Sequence, residues 1–355
     1  MASLLDEIFQ QPSALSMVRK YYTSPGAIPL RALKGLASRK PAAVIITGMG
    51  SSLNAAYPAQ AFLTGLGIRA ILWETAELLH QHLKIVRPDT VLVVVSQSGE
   101  TIEVVNLIEQ LPRKIAIMAI CNVEKSTLAR RADLLLPMMA GSQATVSTKT
   151  YTNAVAVLMY LAFALARKSH APLTQAVIRA VEAQERLIEA RQSLLPPAVE
   201  FFNRPPYVVL MSRGADLCSA HQGALTLKEV ARLAAEPMSA AQFRHGPIEI
   251  IHPDHRYIIF ARHSDSSGKS TSRQADLLLH LADDIRAHGG RVLLITDRSV
   301  EAAPNQHAVQ AEPIRLGLGT LADIVMIQLL ANELAERSGI EPGKFWIAEP
   351  VTRTE

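Results

Sequence analysis

The sequence predicts an α/β protein built from two tandem copies of one parallel-sheet subdomain. Three observations lead there. Short apolar runs alternate with helical patterns, and the runs are apolar at every position, as in strands buried on both faces. Hydrophobic residues make up 49% of the chain but aromatics only 5%, so Ala, Leu, Ile and Val fill the core, as in layered α/β proteins. Finally, the pattern restarts: 206-PYVVLMSRGADL-217 mirrors 42-AAVIITGMGSSL-53, 256-RYIIFARHSDSS-267 mirrors 90-TVLVVVSQSGET-101, and 291-RVLLITDRS-299 mirrors 114-KIAIMAICNVEKS-126.

The elements follow in order. Residues 3–24 read as a helix broken at Pro12. Strands are expected at 42–47, 69–73, 91–95, 114–121 and 133–138, with helices at about 52–66, 75–83, 101–111 and 126–131 between them. A long helical stretch covers about 146–194, broken near 170–174. Turn residues at 195-LPPAVEFFNRPP-206 mark the boundary. The expected domains are 1–200, 201–340 and a C-terminal tail, 341–355, which Phe345, Trp346 and Ile347 are expected to dock.

Bulk properties exclude several classes. Net charge is only +4 over 355 residues, with no dense Lys/Arg run interleaved with aromatics, so no nucleic-acid partner is expected. No uncharged apolar stretch reaches a membrane-spanning length, and the start of the chain lacks a secretory signal. The two cysteines, Cys121 and Cys218, show neither metal-ligand spacing nor a disulfide framework, which fits a reducing cytoplasm. No metal and no cofactor is expected.

The stretch 96-SQSGET-101 carries the chemistry. It leaves a buried strand at the carboxyl edge of the sheet, turns at Gly99 and enters a helix. Amides at a helix start, aided by the helix dipole, bind anions. Ser96, Ser98 and Thr101 add hydroxyl donors, and Gln97 lies among them. The bland alternative is that Ser98 only caps the helix. A second loop, 48-GMGSSLN-54, also follows a strand: Gly48 and Gly50 allow close backbone approach, and Ser51 and Ser52 form a polar lip. With Glu74 after the next strand it partly matches a dinucleotide fingerprint, but Leu53 stands where the third glycine belongs. The segment 145-TVSTKTYTN-153 opens another helix with Val146, Ser147, Thr148 and Lys149. The stretch 263-HSDSSGKST-271 imitates a phosphate loop but has His263 in place of its first glycine.

A different chemistry lies in 222-QGALTLKEV-230. On a helix Gln222, Thr226 and Glu229 share one face, and a carboxylate held there among apolar neighbours is suited to proton transfer. His245, before Gly246-Pro247, is the candidate partner acid or base. A surface Glu and a structural loop His are the plainer readings of the same residues.

Taken together, EIFQQP, GMGSSLN, SQSGET, STKTYT, GALTLKE, RHGP and the ending 351-VTRTE-355 resemble the sugar isomerase (SIS) family over nearly the whole chain, in particular the isomerase half of glucosamine-6-phosphate synthase. The resemblance implies two flavodoxin-like subdomains. It implies that Ser96, Gln97, Ser98 and Thr101 hold a hexose 6-phosphate, and that Gly50, Ser51, Ser52, Val146 and Ser147 line the sugar. Glu229 would move a proton between C1 and C2, and His245 would assist ring opening from the neighbouring subunit of a homodimer.

Two departures narrow the chemistry. The lysine that the synthase carries in its tail is replaced here by Glu349 or Pro350, with Lys344 the nearest. The lysine one helical turn before the catalytic Glu is Thr226. No glutaminase half is present in the sequence, so glutamine-dependent amination is not expected. The remaining expectation is an enzyme acting on an amino-substituted hexose 6-phosphate, by isomerisation or deamination. The alternatives are cleavage of a 6-phosphorylated Amadori compound, a non-catalytic sugar-phosphate sensor, and a nicotinamide-dependent oxidoreductase resting on GMG and Glu74.

Overall fold

The structure is a computed structural model that describes residues 2–24, 41–262, 272–347 and 351–352. In chain order its elements are α1 (Leu4–Phe9), α2 (Gln11–Thr23), β1 (Ala43–Gly48), α3 (Ser51–Asn54), α4 (Tyr57–Gly65), β2 (Ala70–Glu74), α5 (Thr75–Gln81), β3 (Thr90–Ser96), α6 (Ile102–Gln110), β4 (Ala116–Cys121), α7 (Thr127–Arg131), β5 (Leu134–Pro137), α8 (Lys149–Leu165) and α9 (Ala171–Phe202). There follow β6 (Val208–Ser212), α10 (Leu217–Ala231), β7 (Ala235–Ser239), α11 (Ala240–Phe243), β8 (Arg256–Ala261), α12 (Ser272–Ala287), β9 (Arg291–Thr296), β10 (Gln306–Gln310) and α13 (Thr320–Arg337). Two compact units result: Ser13–Ile178 with Phe345–Glu355, and Met1–Pro12 with Arg179–Lys344.

The first unit holds a five-stranded parallel sheet in the order β2-β1-β3-β4-β5. The second holds another, β10-β9-β8-β6-β7. Read from its other edge, the second is 7-6-8-9-10, so β6, β8 and β9 stand where β1, β3 and β4 stand in the first. The repeat read from the sequence is therefore a repeat of topology, and both sheets have the flavodoxin-like order. All six residues of β1, all seven of β3 and all six of β8 are buried, which explains why these runs are apolar without alternation.

Three local differences from the sequence reading have physical causes. The segment expected as one helix over 52–66 is two, α3 and α4, because Pro58 enters the first turn of the second and cannot extend a helix from its interior. The helix expected to stop near 194 continues through Pro196 and Pro197 to Phe202. Leu195, Ala198, Val199 and Phe202 form a buried stripe at spacings of three and four, while both prolines face solvent. Finally, β7 and β10 are edge strands absent from the sequence reading; β7 accommodates Pro237 because an edge strand leaves one side of its backbone unpaired.

In the second unit α10 covers the face of the sheet that carries Leu210. A Cβ on Gly223 would lie 2.7 Å from the end of that side chain, so the glycine lets the helix come this close without displacing Leu210. The opposite face carries Val209, Met211 and Ile259, packed against Phe243 of α11 and Leu281 and Ile285 of α12. At the carboxyl edge of β8 the crevice is filled from within. The buried Arg262 guanidinium pairs with buried Asp323 and donates to the carbonyls of Glu312 (2.5 Å) and Gly319 (3.3 Å), while Ser219 Oγ donates to Asp323 (3.1 Å). Removing one partner leaves the other charge buried and alone. Asp323→Ala should therefore lower the stability measured by urea unfolding by about 3 to 5 kcal/mol.

Candidate functional site

The first sheet places the predicted phosphate and sugar residues on one edge. The strand register aligns Gly48 with Val95, Ser96 with Cys121, and Cys121 with Pro137, so β1, β3, β4 and β5 release their loops side by side. The strand order reverses between β1 and β3, and the carboxyl edge at such a switch point is where open α/β sheets bind ligands. The loops after β1 and β3 are the ones that carry Gly50, Ser51 and Ser52, and Ser96, Gln97, Ser98 and Thr101.

The β1 loop turns tightly. A Cβ on Gly48 would lie 2.9 Å from the Val95 carbonyl oxygen and 2.9 Å from Ser52 Cβ, so glycine is what permits α3 to fold back over the strand ends. Gly50 has φ 49°, and Ser51 and Ser52 are half-buried behind it. The Glu74 carboxylate accepts from the Ala76 amide at the start of α5, a capping role. That accounts for the acid on which the dinucleotide comparison rested.

The β3 loop is held by its own hydroxyls. Ser96 Oγ accepts from the Gly99 amide (3.0 Å) and lies 3.5 Å from Thr101 Oγ1, and Ser98 Oγ accepts from the Glu100 amide (3.2 Å). Gly99 has φ 67°, and a Cβ there would sit on the Ser126 hydroxyl and 2.9 Å from Cys121 Sγ. Ser98 does not cap α6. The N-cap position is Thr101, without a side-chain bond, and the Ile102 amide donates to the Thr352 carbonyl of the tail (3.1 Å). Docking of the tail thus runs through Thr352, whereas Trp346 and Ile347 are 76% and 88% exposed, contrary to the sequence expectation for those two side chains.

Struts that sequence reasoning missed brace this loop. The Glu100 carboxylate accepts from the Thr127 amide (2.7 Å), the Gly99 carbonyl from the Leu128 amide (3.1 Å), and Ser126 Oγ from the Ala129 amide (3.2 Å), which uses the first amides of α7. The Asn122 amide donates to the Gln97 carbonyl (3.1 Å), and its side chain bonds the Gly141 carbonyl (2.7 Å) and the Ala140 amide (3.0 Å). The signal was available in one residue: an acid inside an anion cradle must be engaged elsewhere.

The loop before α8 completes the group. Gln143 Nε2 donates to the Val146 carbonyl (2.6 Å) and to Thr148 Oγ1 (2.9 Å), and its Oε1 accepts from the Thr150 amide. Val146 is buried and Ser147 half-buried. Lys149 is buried and donates to the Ser142 carbonyl (2.6 Å), so it fastens this loop.

Glu229 and His245 belong to the second unit. Glu229 is half-buried near the end of α10, on the face shared by buried Gln222 and Thr226. Desolvation pushes its carboxyl up to about 7, opposed by the neighbouring Lys228 charge. His245 is exposed on the turn after α11, its amide bonded to the Gln242 carbonyl (3.0 Å). α10 and α11 cover opposite faces of the sheet, and no hydrogen bond joins the two side chains among the described residues. The expected tail position, Glu349 or Pro350, and the stretch 263–271 lie outside the described residues. No described helix is long and apolar enough to cross a membrane, and the described residues contain no group of His, Cys, Asp and Glu fit to hold a metal ion.

Residues 36–164, which fall within the first unit, match the SIS domain. Its relatives are more particular. The chain is 26% identical to a glutamine–fructose-6-phosphate aminotransferase (isomerizing) of Pseudomonas syringae pv. tomato over 352 residues, which is 95% of this chain and 56% of that protein. It is 26% identical to the protein of the same name from Escherichia coli K12 over 349 residues, 94% of this chain and 56% of that one. It thus spans little more than half the length of these relatives. Among solved structures, the C-terminal domain of glucosamine-fructose-6-phosphate aminotransferase from Francisella tularensis superimposes with a TM-score of 0.82 at 21% identity, covering 97% of this chain and 98% of that one. Tagatose-6-phosphate ketose/aldose isomerase from Escherichia coli gives 0.79 at 18% identity, with 98% and 97% covered. Glucosamine-6-phosphate deaminase from Thermotoga maritima gives 0.75 at 20% identity, with 99% of each covered. The fold is the one these phosphosugar-isomerase-type proteins share.

The Glu229 shift makes a prediction free of any substrate. The folded chain binds this proton more tightly than the unfolded chain, whose Glu has the ordinary value of 4.5. The wild-type protein should therefore lose stability as pH rises from about 4.5 through about 7. Glu229→Gln mimics the protonated form. Denaturant titrations should show the variant gaining on wild type across that window, by about 2 to 3 kcal/mol at most above pH 7, and matching it at pH 4.

Proposed function

We propose that this chain is an enzyme acting on an amino-substituted hexose 6-phosphate, moving a proton between C1 and C2 with loss or relocation of the amine. One observation carries the proposal: the carboxyl edge at the β1/β3 switch point gathers a positive-φ turn, three hydroxyls and the start of α6 into one loop. In this reading Ser96, Gln97, Ser98 and Thr101 hold the 6-phosphate, and Gly50, Ser51, Ser52, Val146 and Ser147 line the sugar. Relatives named for fructose 6-phosphate, tagatose 6-phosphate and glucosamine 6-phosphate support a hexose 6-phosphate.

Glu229 is assigned the proton. As the carboxylate it takes a proton from the sugar carbon beside the carbonyl, giving an enediol or enamine, and then returns it to the neighbouring carbon. A carboxyl held near 7 exists in both forms at neutral pH, as a group that must both accept and give requires. A pure sensor has no use for such a group. Thr226, buried one turn earlier, supplies no amine, so the substrate's own nitrogen is assigned that part; this favours deamination or cleavage of a 6-phosphorylated Amadori compound over amination.

His245 is assigned to ring opening in the site of a second copy of the chain. Its exposure, and its place on the face of the sheet opposite α10, support that arrangement. No cofactor or metal enters this scheme.

A thermal-shift panel of hexose, hexosamine and N-substituted hexose 6-phosphates tests the cradle. A stabilising shift should require the 6-phosphate and vanish in Ser98→Ala. With the stabilising compound as substrate, Glu229→Gln should bind it and turn over at least about a thousandfold more slowly. Turnover at the wild-type rate would sink the assignment of Glu229. Mixing the inactive variants Glu229→Gln and His245→Ala should restore about a quarter of wild-type activity, since half the dimers would carry one complete site. No recovery on subunit exchange would refute the shared site.

A further inference from the structure

A second concave site lies on the first unit, at the opposite end of α6 from the phosphate loop. It is a cavity of about 370 Å³ between α6 and α7, with Ile108 and Leu111 as an apolar floor. Arg113, Arg130 and Arg131 stand around it with Thr127, facing a single acid, Glu109. Three guanidinium groups against one carboxylate leave a local excess of two positive charges. None of the three is in an ion pair among the described residues. Their bonds are to neutral atoms: Arg131 donates to the Pro112 carbonyl (3.4 Å), and Arg130 to the Lys125 carbonyl and Thr127 Oγ1 (2.9 Å). Each guanidinium has five donors, so most of this capacity is uncommitted, and planar forks of this kind match phosphate oxygens.

We propose that this cavity is a binding site for a phosphate ester with an apolar or aromatic body, separate from the sugar-phosphate loop. The arginines would take the phosphate, and Ile108 with Leu111 would take the body. A dianionic or more highly charged head matches the charge excess, and a nucleoside diphosphate is of the size the cavity admits. The site also touches the phosphate loop through both of its walls. α6 begins at Ile102, with Thr101 at its N-cap position, and α7 is tied to Glu100 and Gly99 through the amides of Thr127 and Leu128. A ligand that draws α6 and α7 together acts on the elements that hold Ser96–Thr101, so occupancy of one site should be read at the other.

The probes are adenosine 5′-diphosphate and inorganic pyrophosphate, titrated calorimetrically into the intact protein, with amide hydrogen exchange followed on the same samples. The diphosphate nucleoside should bind at least tenfold more tightly than pyrophosphate. It should slow exchange at the Thr127 and Leu128 amides at least threefold. Arg113→Glu, at an exposed position, should weaken binding at least tenfold with an unchanged melting temperature, and Arg113→Glu/Arg131→Glu should weaken it further. Ser98→Ala should leave this binding intact, which keeps the outcome independent of the sugar-phosphate reading. Absence of binding by the wild-type chain at millimolar nucleotide would overturn the proposal. So would equal binding by both arginine variants, or binding lost in Ser98→Ala, which would place the nucleotide in the β3 loop.

Discussion

Just after β3 the backbone at Gly99 passes through a conformation with φ 67°, and a Cβ there would collide with Ser126 and Cys121. Only glycine satisfies both conditions, the first because L side chains avoid that region and the second because no room for a Cβ exists. The rest of the first unit's functional edge depends on this turn. It lets the Gly99 carbonyl reach α7, lets the Ser96 hydroxyl take the Gly99 amide, and sets where α6 begins. The apolar sheet below supplies a rigid base; the turn converts it into a loop held at the strand ends by its own hydroxyls and amides.

Much of this was legible in residues. β1, β3, β4, β6, β8 and β9 are buried on both faces, and such strands announce themselves as unbroken apolar runs. Because those same six strands occupy matching places in the two sheets, their sequence likeness carried the topology as well. The edge strands were silent for the complementary reason: Ala235–Ser239 contains a proline and a charge, and Gln306–Gln310 has one buried residue among five. α13 was also missed. It is buried along nearly its whole length, so it lacks the polar stripe by which helical periodicity is recognised.

The site was legible by residue type but not by wiring. Ser96, Ser98, Thr101 and Gly99 could be read as an anion loop from their density after a strand. Ser98 bonds Glu100, two residues on, rather than capping α6. That Glu100 and Asn122 are the braces depends on contacts between segments 27 and 19 residues apart. Glu229 was singled out by its place on a helix face, but its desolvation is set by neighbours that sequence spacing does not name. Lys149 stands among these polar residues, and its ammonium is used on a carbonyl of its own loop.

The Ile102 amide, first of α6, is bonded by the Thr352 carbonyl, and each compact unit holds a segment from the far end of the chain. On a ribosome this orders events. Residue 352 emerges about 250 positions after residue 102, so the first sheet can condense long before the start of α6 has its last partner. The nascent first unit would pass through a stage with its core formed and the loop after β3 open at one amide. Emergence of residue 352, rather than collapse of the sheet, would then be the step that finishes the loop.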